Sequence, residues 1–193
     1  MTADGGAVEK RALPARFGFV AALVLFDQWS KYAVFAWLEP DGMPRHSPHH
    51  LLGEWLNFWT SCNPGAAFGQ FHQFPWVLVI GRAVAVVFLS WLLARCAAHP
   101  RLPLVAMTLV LAGAFGNLVD NLWTGCEVAR LAGTPFRGVR DFIDFDFQPL
   151  FGIEYHFPAF NVADSCITIG ACAWILSGFL HRTVPQRDAE STA

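Results

Sequence analysis

Charge is what this chain lacks. Asp, Glu, Lys and Arg make up 15% of its 193 residues, where a soluble domain carries about a quarter. That scarcity, beside a hydrophobic fraction of 54%, excludes a disordered, solvated chain. The formal net charge of −2 leaves no electrostatic footprint for phosphate, so nucleic acid is not an expected partner. The five Cys form no C-x-x-C and no Cys/His zinc spacing, which excludes a disulfide scaffold and a structural zinc site. Their odd number leaves at least one unpaired.

What is abundant is apolar length. Runs of about 20 apolar residues, enough to span a bilayer as helix, occur at 17–38, 75–95, 102–123 and 158–180. Lys10, Arg11 and Arg16 ahead of the first run also suit a signal peptide. No small-residue cleavage site follows, however, and Ala33 to Leu38 resumes the run, so it reads as a retained span. The chain is therefore expected to be all-α, a single integral membrane domain over 1–193 with four transmembrane helices. Lys10, Arg11, Arg16, Arg95, Arg101, Arg182 and Arg187 crowd the termini and the short 95–101 turn, whereas the longer loops hold Arg45, Arg130, Arg137 and Arg140. This bias puts both termini in the cytoplasm and the loops 39–74 and 124–157 outside. Strand-like Leu56 to Trp59 and the alternating Asp144-Phe145-Asp146-Phe147 predict a small extramembrane β element on the outer face. Cys62 and Cys126 both fall in these outer loops, where an oxidising compartment would let them pair. Cys96, Cys166 and Cys172 read as small buried hydrophobes.

Ionisable groups inside a span are costly and require a partner or a function. At about 1.5 Å of rise per residue, Lys31 and Arg82 lie about 10 Å below the outer end of their spans, Asn117 and Asp164 about 9 Å, and Asp120 and Asn161 about 5 Å. Asp27, about 16 Å down, is the deepest. Asp27 and Lys31, four apart, suit an ion pair along one helix face. Arg82 reads mainly as a snorkelling or neutralising cation, and Asn117 and Asn161 as hydrogen-bonding links between helices. Their convergence on one depth is better explained by a polar pocket that opens outward.

Among chemistries for that pocket, Ser/His catalysis is disfavoured because no His lies inside a span, and the same absence disfavours haem held between helices. The cluster His46-Ser47-Pro48-His49-His50 has no nearby acidic or Cys ligand and reads as a solvated loop. No metal and no cofactor is expected. Carboxylates remain. Two acids sharing a site cannot both ionise cheaply, so one keeps a proton while the other activates water. Asp164, beside Asn161 in the fourth span, is the natural fixed member. Spacing leaves its partner open among Asp120, Asp141, Asp144 and Asp146.

Taken in order, Asp27-Gln28-Trp29-Ser30-Lys31, Asn63-Pro64-Gly65-Ala66-Ala67-Phe68-Gly69, Gly113 to Asp120, Val139-Arg140-Asp141-Phe142-Ile143 and Phe160-Asn161-Val162-Ala163-Asp164 resemble the motifs of the lipoprotein signal peptidase (signal peptidase II) family of bacterial aspartyl proteases. The resemblance covers roughly residues 16 to 181. It implies Asp141 and Asp164 as the catalytic pair, Asn63, Asn117, Asp120 and Asn161 as supporting or substrate-binding residues, and Asp27 and Lys31 near the site. It further implies a diacylglyceryl-modified prolipoprotein as substrate, cleaved N-terminal to the lipidated Cys. Membrane lipids would be partners, and the enzyme would be a monomer in the bacterial inner membrane with its site toward the outer face. Two departures stand out: the family usually has Arg where this chain has Asn121, and the stretch between Asp120 and Asp141 is longer. Arg130, Arg137 or Arg140 is expected to supply the missing charge. The rival readings are a catalytically altered lipoprotein-binding relative and a small transporter subunit. The second would normally show repeats or charges spread through the membrane depth.

Overall fold

In lipid an apolar run has one economical backbone, the helix, because it satisfies every N–H and C=O within itself. The computed structural model describes residues 3–40, 47–64, 74–96, 101–131 and 134–182. In chain order these form α1 (Ala3–Leu38), β1 (His49–Leu52), β2 (Leu56–Asn63), α2 (Pro75–Arg95), α3 (Arg101–Val119), β3 (Cys126–Leu131), β4 (Thr134–Asp146), the single turn α4 (Gln148–Phe151), β5 (His156–Phe160) and α5 (Val162–Arg182). The stretches Leu13–Leu38, Trp76–Arg95, Leu102–Thr124 and Val162–Phe179 are long and apolar enough to cross a membrane. Large apolar side chains such as Leu25, Tyr32, Val84, Val87, Ile169 and Ile175 are exposed along them, as lipid-facing surfaces should be. Cys172 shares this exposure on α5, so the expectation that it is buried in protein fails there. An apolar thiol can equally face lipid.

The helices meet through small residues and a buried apolar cluster of Val20, Leu93, Met107, Leu111 and Ala112. The closest approach is between α3 and α5. A Cβ at Gly113 would stand 2.3 Å from the Ala163 carbonyl oxygen, and one at Gly170 would stand 2.7 Å from that of Ala106. Lacking side chains there, the two helices pack backbone to backbone. Near the start of α1, the buried Arg16 guanidinium donates to the Leu93 and Cys96 carbonyls at 3.3 and 2.8 Å. It thereby supplies donors that the last turn of α2 lacks.

An all-α class does not hold. Five antiparallel strands form a sheet in the order β1-β2-β4-β3, with β5 also paired to β4. The anticipated strand signals at 56–59 and 144–147 fall in β2 and at the end of β4, but β4 is far longer than they suggest. Its middle escapes a reading by alternation because both of its faces are covered: Arg140, Asp141 and Phe142 are all buried. Residues 158–160 belong to β5 rather than to the fourth helix. There Phe160 pairs with Ile143, and Phe157 with Phe145. The sheet is seated on α1 through Phe142, Val34 and Leu38. Ser61 of β2 lies opposite Asp141, and Asn63 opposite Val139. Along the earlier part of β4, Cys126 lies opposite Gly138. Where β2 and β3 meet, Cys62 and Cys126 are joined by a disulfide, with their Cα atoms 6.0 Å apart.

The bare backbone contact at Gly113 generates the first prediction. Gly113→Ala places a methyl group against the Ala163 carbonyl and Ile167, so it should destabilise the protein by about 1–3 kcal/mol. Thermal unfolding of the detergent-solubilised protein checks this, with Gly18→Ala, where a Cβ meets nothing within 4 Å, as the neutral comparison.

Candidate active site

Six segments, α1, α2, β2, α3 with its last turn, β4 and the start of α5, supply the polar groups of the site. The first is α1, where Asp27 and Lys31 occupy one face and pair at 2.8 Å. Lys31 is fully buried. Its ammonium also lies 3.3 Å from Asp120 Oδ2 and donates to Asn117 Oδ1 at 3.0 Å. An ammonium has three donors, and here three acceptors from two helices meet them.

Each acceptor is in turn fixed. Asp27 Oδ1 accepts from the Ala163 backbone N–H at 2.9 Å, in the first turn of α5, where a carboxylate complements the helix N-terminus. Gly116 makes room for Asp27, since a Cβ there would stand 2.6 Å from Asp27 Oδ2. At Asp120, α3 widens into a single π turn, Asp120–Thr124. Asp120 accepts from the Arg140 guanidinium at 2.8 Å, the Arg140 backbone N–H at 2.8 Å and the Thr124 hydroxyl at 2.8 Å. Because Asn117 Oδ1 is held by Lys31, its amide nitrogen points the other way and donates to Asp164 Oδ1 at 2.8 Å.

Asp164 is also locked by its own helix. Asn161 precedes α5, accepts from the Asp164 backbone N–H at 2.9 Å, and donates its own N–H to Asp164 Oδ2 at 3.2 Å. This is the reciprocal arrangement of a capping box. The same Asn161 reaches across with its side-chain nitrogen to Asp141 Oδ1 at 2.6 Å. Asn63, at the end of β2, donates to Asp141 Oδ2 at 3.0 Å. Successive residues of β4 point to opposite faces, so Asp141 meets Asn161 and Asn63 while Phe142 packs on α1.

Asp141 and Asp164 line one cavity of about 580 Å³, together with Asn63, Asn117, Arg82 and an apolar wall that includes Phe157, Phe160, Ile167 and Ile169. Burial raises the Asp141 carboxyl to about 7. The nearby charge of Asp164 pushes the same way, against hydrogen bonds from Asn63 and Asn161 and the attraction of Lys31. The other acids left open by spacing go elsewhere. Asp120 is tied to Lys31 and Arg140, whereas Asp144 and Asp146 line a separate cleft with His50, Glu54 and Asn57.

The charge expected from Arg130, Arg137 or Arg140 is divided. Arg140 binds Asp120 and Gln28 Oε1, and Arg137 donates to the Gly125 carbonyl. The Arg130 side chain lies outside the described residues, as do Pro64's neighbours Gly65 to Gly69. At Asn121, a cation arrives from an unexpected helix: Arg82 of α2 donates to its side-chain oxygen. Gln28 and Thr124 were also missed, although they close the Asp120 and Arg140 cluster from α1 and the π turn. A polar Gln adjoining Asp27 in an apolar run was the available signal.

Removing the Lys31 ammonium takes the ion pair from the buried Asp27 and leaves Asp120 with Arg140 alone. Lys31→Met should therefore destabilise the protein by about 3–5 kcal/mol, visible as a lowered midpoint in thermal unfolding of the solubilised protein. An exposed control, Glu54→Gln, should leave the midpoint unchanged.

This arrangement of helices and sheet has known counterparts. A solved bacterial membrane enzyme, determined by the in meso method at 2.3 Å resolution, superposes with a TM-score of 0.68 at 27% identity, covering 93% of this chain and 95% of that one. Among sequences, the lipoprotein signal peptidase of Alteromonas mediterranea is 34% identical over 186 residues, 92% of this chain and 89% of the relative. That of Symbiobacterium thermophilum is 31% identical, covering 85% of this chain and 91% of the relative. The family profile described as signal peptidase (SPase) II matches residues 19–180, a stretch that takes in most of all four apolar spans and every residue of the polar cluster around Lys31, Asp141 and Asp164. The chain belongs to the signal peptidase II family.

Proposed function

We propose that this protein is an aspartic endopeptidase that removes signal peptides from diacylglyceryl-modified prolipoproteins, cutting on the N-terminal side of the lipidated Cys. The observation that carries the reading is the convergence of Asp141 and Asp164 on one cavity, with Asn161 hydrogen-bonded to both. Two carboxyl groups in one buried site share a proton. The ionised member takes a proton from water as that water attacks the scissile carbonyl, and the protonated member hydrogen-bonds the carbonyl oxygen. Collapse of the tetrahedral intermediate passes a proton to the departing amine, which is the new N-terminus on the lipidated Cys. Asn63 and Asn117 hold the acids in place, while Lys31, itself held by Asp27 and Asp120, holds Asn117.

The rest of the chain suits that substrate. The apolar wall of the cavity, with Phe157, Phe160, Ile167 and Ile169, fits acyl chains beside the peptide, and the exposed helix surfaces fit membrane lipids. The positive charge around Arg16, Arg95 and Arg101 supports a cytoplasmic location for both termini of this single membrane domain. The loops 39–74 and 124–157 and the sheet they contain then lie on the outer face of the inner membrane, where a monomer has all the groups the reaction uses.

Asp141→Asn and Asp164→Asn should each abolish cleavage of a purified diacylglyceryl prolipoprotein, as read by gel shift, while the protein still inserts in the membrane. Substantial turnover by either variant would overturn the assignment. A substrate held intact by the wild-type protein would mark a lipoprotein-binding relative instead.

The acid pair also dictates a pH profile. A carboxyl raised to about 7 keeps its proton below that pH and loses it above, and the pair titrates as a unit. Since one proton must stay on the pair, kcat/KM should fall as pH rises above 7, approaching about tenfold per unit. Initial rates between pH 6 and 9 test this.

A further inference from the structure

Arg82 has a place in the cavity that its sequence context does not explain. It belongs to α2, whose other residues from Pro75 to Leu93 are all uncharged. A guanidinium in such a helix requires a partner or a function. Among the described residues Arg82 makes no ion pair, and its hydrogen-bond partner is the side-chain oxygen of Asn121. Asn121 is well suited to hold it. The Asn121 amide nitrogen donates to the Arg137 carbonyl at 2.8 Å, so its oxygen is fixed toward Arg82. One of five N–H donors is thus used to brace the guanidinium, and the others remain for the cavity that Arg82 lines with Asp141 and Asp164.

The surroundings indicate what those donors accept. Asp164, Asp141 and Asp120 all act electrostatically on the guanidinium, so the cavity already holds the negative charge that balances it. An anionic ligand group would be repelled by the same acids. A neutral acceptor of fixed direction remains, and carbonyl oxygen is the acceptor that both parts of a lipidated peptide carry, in the peptide backbone and in the glyceride esters.

We propose that Arg82, braced by Asn121, is a substrate-binding residue that donates hydrogen bonds to a carbonyl oxygen of the lipidated peptide lying in the cavity. This rests on the function proposed above. The alternative is that Arg82 only offsets the charge of the acid pair. The two roles separate kinetically, because an interaction made equally in the bound and transition states is read in KM, whereas a purely charge-balancing role is fully met by any cation at this position.

The test uses the full-length protein in detergent micelles with a diacylglyceryl prolipoprotein and with its dialkyl ether counterpart, which lacks ester carbonyls. With the ester substrate, Arg82→Ala should raise KM roughly ten- to hundredfold, the loss expected for a hydrogen bond from a charged donor. The value of kcat should change less than threefold, and Arg82→Lys, which keeps the charge beside the acids, should leave the alkaline limb of the pH profile in place. Arg82→Lys should restore part of the loss, and Asn121→Ala should raise KM by a smaller factor. These two variants carry the test if Arg82→Ala fails to fold. If the ether substrate raises the wild-type KM as much as Arg82→Ala does, and the variant adds nothing further, the acceptor is an ester carbonyl. An equal penalty on both substrates identifies a peptide carbonyl. A KM within twofold of wild type in all variants overturns the proposal, as does full recovery of the wild-type KM in Arg82→Lys, which restores the charge alone. Wild-type cleavage accompanies either failure, whereas its absence would instead refute the function on which the proposal rests.

Discussion

A single buried ammonium sets the order of this site. Lys31 has no exposed surface, and in lipid an unpaired charge there would be prohibitive. Its three donors must all be met, and the acceptors Asp27, Asp120 and Asn117 come from α1 and the end of α3. Satisfying Lys31 therefore fixes the position of α3 against α1 and the orientation of the Asn117 amide. That orientation in turn presents a donor to Asp164. Asp27, held by the same cation, also anchors the first turn of α5 through the Ala163 N–H. The acid in the cavity is thus reached from Lys31 by two separate routes.

Backbone proximity makes this possible. Side-chain amides and carboxylates are short, so helices that carry them must come close before they touch. Gly113, Gly116 and Gly170 provide that closeness at the α3 interfaces. The Asn161 cap adds rigidity of another kind, since it ties the Asp164 backbone and side chain to the start of α5 while its amide group holds Asp141. Asp141 itself arrives on a strand, and the disulfide between Cys62 and Cys126 secures the neighbouring end of β2, one residue before Asn63.

Much of this was readable from the sequence, and the reason is the cost of polarity in lipid. Asp27, Lys31, Asn117, Asp120, Asn161 and Asp164 are conspicuous in apolar runs, and helix rise gathers the first four within about 5–16 Å of the ends of their spans, although Asn161 lies just before α5 and Asp164 in its first turn. The extramembrane part was harder. Strand β4 carries buried groups on both faces, so Arg140-Asp141-Phe142 shows no alternation, and the acid of the sheet could not be chosen by spacing among Asp120, Asp141, Asp144 and Asp146. Resemblance to a family made that choice. The Arg82–Asn121 contact was illegible for a different reason: it joins positions on separate helices, and nothing in a linear pattern connects a lone cation in α2 with an amide in a π turn.

The polar cluster draws Lys31 from the first span, Asn63 from the first long loop, Asn117 from the third span, Asp141 from the second long loop and Asp164 from the fourth. No partial chain contains it. During synthesis and insertion the two acids come together only after the last helix has emerged and docked, so an unfinished chain lacks the acid pair on which the proposed function rests. For the protease proposed above, this order of segments withholds the paired acids until the fourth helix is in place.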